Sequence, residues 1–332
     1  MNDRPVPPVT AAELRLRWMP AVERLPEIPA EYRRPELSVR SAARLLGVDE
    51  QAVKHLIDAG LPAQEQPYGM VLDRYDLLNL GLLAGTGRSA AEAAELRWTA
   101  QPGGPPAGWT TARRLRLALA SHCSAGCTRA PGPPLCATAL AEQTATVHTW
   151  RTLRPGGRVL AEVTLRGRRC RARSRAAREV FGEIYDGLLT GRYRYARLPP
   201  ALAARPERAL AAGALDPVTA ALVMAVHARA AGLEARTRAG FLLAPPGPRQ
   251  TAALPHAWTE IRECGHWLPL DPLQAYRAGR HPDFADFCRG SRPNWLLPLT
   301  HEAHCPATAH RCSDGGVPET SCRQLPGGGR CP

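Results

Sequence analysis

The sequence predicts an α+β fold, with an antiparallel sheet and one central helix preceded by a small, mainly helical domain. Three observations lead there. A segment rich in Ala, Leu and Val carries helix punctuation at both ends, with Asp216 as N-cap, Pro217 in the first turn and Gly232 at the close. The chain then changes to alternation, and Cys264-Gly265 is placed as a hairpin turn between AWTEIR and HWLPL. Near the N-terminus, Ala43, Gly47 and Val53 have the spacing of two short helices joined by a turn.

Size and composition agree with a folded chain of more than one domain: 332 residues, 44% of them apolar. No apolar run is long enough to cross a bilayer. The start, MNDRPVPPVTAAELRLRW, has no charged region followed by an apolar stretch and a cleavage site, so the expected setting is cytoplasmic, with no membrane partner. The formal charge of +13 calls for a nucleic acid, an acidic peptide or an anionic carrier as partner. Lys54 is the only lysine, so nearly all of that charge is arginine, and GC-rich codons are a second source of it.

In chain order, residues 1–35 form an arm with a short amphipathic piece, AAELRLRWMPAVERL, expected to pack on something else. Residues 36–98 hold the two-helix unit. Ala43 sits where the helices touch, Gly47 makes the turn, Val53 holds the second helix, and Ala42, Leu45, Leu46, Leu56 and Ile57 complete the stripe. YGMVLDRYDLLNLGLLAG then predicts a short strand and a further helix from near Asp73. The whole resembles the winged helix-turn-helix domains of excisionase type. That resemblance implies DNA in contact with the second helix, through Gln51, Lys54 and His55; such domains also recognise peptides and proteins. Asp49 and Glu50 at its leading end would face phosphates, and equally serve as helix caps.

Residues 99–155 are expected to be a linker and helical connection, since TAQPGGPPAGW and RAPGPP are breaks and ARRLRLALASHCSAGC between them is expected to be helical. TVHTWRTLRPGGRVLAEVTLRGRRCRARS alternates like strands, with turns at Pro155-Gly156-Gly157 and around Gly167. Seven arginines fall between Arg166 and Arg178 without an acid among them. On an extended ribbon Arg169, Arg171 and Arg173 share a face suited to a phosphate backbone, or else to protecting an edge strand from aggregation. AAREVFGEIYDGLL is a further helix.

The chemistry concentrates in PHAWTEIRECGHWLPLDP, residues 255–272. Folding about Cys264-Gly265 sets Asp271 opposite Ala257 or Trp258, and so beside His256 across the ladder. A carboxylate one strand over can hold the imidazole's tautomer; a purely structural pair is the plain alternative. The order of helix, ARTRAGFLL strand, His strand and Asp strand resembles the transglutaminase-like superfamily with its papain-like core. Arg229-Ala-Ala-Gly-Leu-Glu-Ala-Arg236, His256-Ala-Trp258 and Leu270-Asp-Pro272 carry the resemblance, which covers about residues 175–300 of a domain placed at 156–300. It implies a nucleophilic cysteine at the start of the helix. That position falls on Pro217, or on Asp216 if the turn is one residue shorter, and no cysteine lies between Cys170 and Cys264.

Cys264, at the far tip of the hairpin, stands roughly 25 Å of strand from His256. Thr219 suits capping or packing better than catalysis, His227 falls in mid-helix, and nothing in the sequence brings Cys123 or Cys127 into the core. Chemistry without a thiol requires a donor already activated as an ester or thioester, with His256 taking the proton of an attacking amine and Asp271 orienting it. The expected function is thus acyl or aminoacyl transfer from aminoacyl-tRNA or a carrier to an amine or peptide. The alternative is a DNA-binding regulator whose degenerate domain binds a ligand or protein. Trp258, with Trp267 and Trp295, is a candidate lining of a substrate groove, and Asn294 a candidate amide at the site.

Ten cysteines without a secretion signal favour thiols or metal ligands over disulfides. His122, Cys123, Cys127 and Cys136 form one cluster; the tail, residues 301–332, forms another with His304, Cys305, His310, Cys312, Cys322 and Cys331. These spacings fit no standard zinc knuckle, so no metal and no cofactor is assigned, and the Gly- and Pro-rich tail is expected to be flexible.

Overall fold

The computed structural model describes residues 8–89, 92, 106–120, 136–142, 145–152, 158–243, 253–279, 284–301 and 321–324. The chain divides into two compact units. The first is Met1–Arg97 with Arg194–Leu202 and Glu207–Leu215; the second is Trp98–Tyr193 with Ala203–Pro206 and Asp216–Pro332.

In the first unit the Thr10 hydroxyl accepts the Glu13 amide at 3.1 Å and opens a helical run: Ala11–Glu13, a π-helical Leu14–Trp18, then Met19–Glu23. Its Trp18, Ala21 and Val22 join a core with Leu46, Val53, Leu56 and Leu80, so the arm packs within its own unit. Strand β1 (Pro35–Ser38) leads into helix Val39–Leu46, which Gly47 closes at φ 68. A β-carbon there would lie 2.5 Å from the Arg88 carbonyl, so both the left-handed backbone and the close approach demand glycine. Asp49 accepts the Ala52 amide at 2.8 Å and caps helix Glu50–Asp58; that bond holds its carboxyl below the ordinary carboxylate range. The hairpin of β2 (Ala63–Gln66) and β3 (Gly69–Asp73) follows, giving an antiparallel sheet of order β1-β3-β2, and Asp73 caps helix Arg74–Ala84.

The second unit holds two four-stranded sheets. One has the order β13-β4-β6-β5, from β4 (Arg113–Ala120), β5 (Ala145–Thr152), β6 (Arg158–Leu165) and β13 (Ser321–Gln324). One expectation is corrected here. Residues 113–120 form a strand where a helix was expected, because Leu115, Leu117 and Leu119 are buried at period two while Arg114 and Arg116 point out. Arg116 lies opposite Glu162 on β6 and pairs with it at 2.7 Å. Within the tail, residues 321–324 form β13, which pairs antiparallel with β4. Between the sheets in sequence, β7 (Arg194–Tyr195) and β8 (Ala214–Leu215) form a short parallel pair that belongs to the first unit.

The other sheet has the order β11-β10-β9-β12 and is antiparallel throughout, from β9 (Ala235–Leu243), β10 (Ala253–Glu263), β11 (His266–Leu270) and β12 (Leu296–Thr300). Cys264 and Gly265, both at positive φ (50 and 77), close the β10–β11 hairpin as a two-residue turn of the kind that matches strand twist. The helix Pro217–Ala230 has the expected Asp216 cap, Asp216 Oδ1 accepting the Thr219 amide at 2.7 Å. It packs Ala221 on Ala239 and Ala257, and the Thr259 hydroxyl donates to the Ala221 carbonyl at 2.7 Å. Among the described residues no helix is long and apolar enough to cross a membrane.

Candidate active site

Strand alternation sorts β10 into two chemically different faces. Ala257 and Thr259 meet the helix Pro217–Ala230. His256, Trp258 and Glu260 project from the opposite face, where they join paired residues of β9: Gly240 opposite His256, Arg238 opposite Trp258 and Arg236 opposite Glu260.

His256 is 1% exposed, and its Nε2 lies 2.5 Å from Asp271 Oδ2. The hairpin register delivers this contact. Thr259 pairs with Leu270, so the next residue of the returning strand, Asp271, comes level with Trp258 and diagonal to His256. Asp271 then leaves the sheet to cap helix Pro272–Arg277, its Oδ1 accepting the Gln274 amide at 2.9 Å. One carboxylate oxygen is therefore fixed by the helix and the other holds the imidazole. With Nε2–H directed at the carboxylate, the lone pair stands on Nδ1, which is buried and has no hydrogen-bond partner among the described residues. The ring stacks on Trp258 at 6.1 Å between centroids and 18° between planes.

Gly240 permits a close crossing on this face. A β-carbon there would fall 1.9 Å from the Leu297 carbonyl, so only glycine lets β12 lie against β9 at this level.

Below Trp258 the face is charged. Its indole N–H donates to Glu260 Oε1 at 3.5 Å, and Glu260 Oε2 pairs with Arg236 at 2.8 Å and Arg238 at 3.2 Å. Both arginines also pair with Glu142, and Arg236 lies over the Trp267 ring at 3.9 Å. Burial pushes the Glu142 carboxyl up, but Arg238 and Arg236 outweigh it and leave it below its ordinary range. The sequence signal for this network was the alternation itself, in ARTRAG and HAWTE.

The other candidate residues separate. Asp216 and Pro217 stand at the N-terminus of the helix, where Asp216 is 8% exposed. Thr219 is buried with its hydroxyl donating to the Ala203 carbonyl, and His227 contacts Glu183 on the surface at 3.1 Å. Trp295 lies among Trp109, Phe284 and Phe287 in an aromatic cluster. Asn294, the candidate amide, donates to the Gly108 and Thr111 carbonyls at 2.9 and 2.8 Å, which engages both of its N–H groups. Gln51, Lys54 and His55 are exposed on one side of helix Glu50–Asp58, with Ala52, Val53 and Leu56 buried on the other.

Arg169, Arg171 and Arg173 do share an exposed face, but not on a strand. Residues 169–174 are extended without a ladder, pinned by Ser291, whose hydroxyl accepts the Cys170 amide at 3.0 Å and donates to its carbonyl at 2.6 Å. Arg171 reaches Asp286 at 3.4 Å and the Arg173 amide donates to Glu263 Oε2 at 2.7 Å; among the described residues the side chains of Arg168, Arg169 and Arg173 have no ion-pair partner. Arg168, Arg171, Arg173 and Arg292 line a cavity of ≈ 160 Å³ together with Cys170 and Cys264.

The sequence reading does not single out Cys288, and it takes Cys136 only as a member of a Cys/His cluster. The Cys288 carbonyl accepts the Asp271 amide at 3.1 Å, and its thiol is pushed well above the ordinary 9.0 by burial and by the Asp271 charge, against a smaller opposing effect of Arg289. It is a neighbour of the His256–Asp271 pair that stays protonated. Cys136 approaches His301 at 3.5 Å on the same charged network. Sequence distance hid their surroundings, since Cys288 meets Asp271 from beyond helix Pro272–Arg277 and Cys136 meets His301 from far earlier in the chain. His122, Cys123, Cys127, His304, Cys305, His310, Cys312 and Cys331 lie outside the described residues, as does the turn at 155–157. Among the described residues no group of three or more His, Cys, Asp or Glu is placed to hold a metal ion.

Residues 167–272 match the model of the transglutaminase-like superfamily, a span that contains the capped helix and ends just past Asp271. No curated protein and no solved structure matches the chain.

Proposed function

We propose that the transglutaminase-like domain is an acyl or aminoacyl transferase that uses an activated ester or thioester donor and an amine or peptide acceptor, with His256 as base. One observation carries this reading: His256 is held through Nε2 by Asp271 while Nδ1 is buried and, among the described residues, unpartnered. An orphaned buried nitrogen costs about 1–3 kcal/mol, and here it is the atom through which a base would act. As the acceptor nitrogen bonds to the donor carbonyl carbon, its proton passes to Nδ1, and Asp271 stabilises the imidazolium. Collapse of the adduct breaks the bond to the donor oxygen or sulfur, and the leaving group takes the proton back.

The helix start supports a thiol-free route. Asp216 Oδ1 is engaged by the Thr219 amide and Pro217 has no reactive group, so the position the family would give to a cysteine holds a cap. Arg168, Arg171, Arg173 and Arg292 on one cavity offer cations to a phosphate-bearing donor such as aminoacyl-tRNA, while Glu263 on the same wall is engaged by the Arg173 and Ser174 amides. The test is turnover of aminoacyl-tRNA or a carrier thioester with an amine acceptor. His256→Ala is expected to lower it at least about 10²-fold; unchanged turnover would sink the proposal.

A second reading rests on the exposed side of helix Glu50–Asp58. In it the first unit is a winged helix-turn-helix of excisionase type that places Gln51, Lys54 and His55 against duplex DNA, and the protein is a regulator whose degenerate domain binds a ligand or partner. Titration of duplex DNA across salt concentrations tests it. Lys54→Ala should weaken binding and reduce the salt slope by about one. Binding that ignores both salt and this substitution excludes the reading.

A further inference from the structure

We infer that Cys136 and His301 form a second reactive centre, in which the Cys136 thiolate is acylated by thioesters. The site lies in the second unit and uses neither His256 nor Asp271, so it stands or falls apart from the transferase reading.

The geometry is that of a stabilised thiolate. Cys136 Sγ lies 2.8 Å from the Thr138 hydroxyl and 3.5 Å from His301 Nε2, and that nitrogen is 3.1 Å from the same hydroxyl. The His301 tautomer follows from its other nitrogen. Nδ1 contacts a guanidinium nitrogen of Arg238, which can only donate, so Nδ1 is the acceptor and the proton resides on Nε2, directed at Cys136 and Thr138. The Cys136 amide donates to the Leu299 carbonyl at 2.8 Å, fixing the thiol beside the end of β12 that carries His301. Thr138 and His301 are exposed and Cys136 is half-buried, so the sulfur is within reach of solvent.

Electrostatics favour the anion. Burial pushes the thiol up, but the Thr138 hydroxyl, the Ala139 and Thr138 amides and the Arg238 charge outweigh it, leaving the thiol below its ordinary 9.0. The charged groups around it are Arg238 and Arg236, balanced by Glu142 and Glu260, with His301 against Arg238.

The same arrangement selects the substrate class. An amide or alkyl ester needs an acid to protonate its leaving group, and the His301 Nε2–H is already directed at Cys136 and Thr138. A thioester needs none. Cys136 Sγ bonds to the acyl carbon, the carbon–sulfur bond of the donor breaks, and its thiolate departs and takes a proton from water. No redox change occurs, and the acyl group ends on Cys136.

The experiment treats the full-length protein with the acetyl thioester of N-acetylcysteamine and follows each cysteine by peptide mass. At pH 7 Cys136 should be acetylated roughly tenfold faster than the exposed Cys264. His301→Ala should slow Cys136 about tenfold and raise the pH midpoint of its reaction; His301→Gln, which restores an N–H donor, should recover part of the rate. Cys264 serves as the internal control for folding. If Cys136 reacts no faster than Cys264, or if its pH midpoint is the same in His301→Ala, the pair is only a structural tie between residues 136–142 and β12.

Discussion

Asp271→Asn lowers turnover of an activated donor by about 10³- to 10⁴-fold while the protein stays folded. The asparagine carbonyl can still accept the Gln274 amide and cap helix Pro272–Arg277, so the local structure survives. Its amide then points at His256 Nε2 as a donor where the aspartate offered an acceptor. Nε2 must give up its proton, the proton moves to Nδ1, and the lone pair that would act as base is gone. The magnitude is that of a wrong-tautomer substitution in serine hydrolases. Steady-state kinetics with a thermal melt as the folding control decide it. Near-normal turnover in a folded Asp271→Asn protein would mean that the pair is structural.

Glu260→Gln is the substitution with the largest expected loss of stability, about 3–5 kcal/mol, or roughly 10 °C in Tm for a domain of this size. Glu260 and Arg238 both have fully buried side chains, and Glu260 also answers Arg236. Without its charge, two guanidinium groups share Glu142, which is 40% exposed and screened by solvent. The wrong half of a buried pair is costlier to keep than the whole pair is to remove, so Arg238→Met combined with Glu260→Leu should recover part of the loss. Urea denaturation of the two single variants and the double variant reads the coupling. A loss below about 1 kcal/mol for Glu260→Gln would show that water reaches this network.

Local rules recovered much of the architecture. Gly47, Asp49, Asp73, Asp216 with Pro217, and Cys264-Gly265 each mark a helix end or turn by a short-range signal, and each lies at that boundary. The hairpin at Cys264-Gly265 also made the His256–Asp271 contact legible, because a two-residue turn fixes the register of everything after it. What stayed hidden depends on long-range packing. In RRLRLALA the leucines at 115, 117 and 119 alternate, but alanine and arginine suit helices well, and only pairing with β6 selects the strand. Arg169 to Arg173 alternate in exposure without a ladder, since their restraint comes from Ser291, far along the chain. Nothing near Cys136 in sequence announces His301 or Arg238.

The two thiols flanking the charged face differ in what an oxidant can do to them. Oxidation begins at the thiolate, so Cys288, held protonated and buried beside Asp271, is the slower of the two to form a sulfenic acid, and Cys136 the faster. A sulfenic or sulfinic group at Cys136 would place new oxygens among Thr138, His301 and Arg238, one polar layer away from Glu260 and two from the His256 ring. Of these two thiols, peroxide would therefore mark the one beside β12 first and leave the surroundings of Asp271 chemically intact.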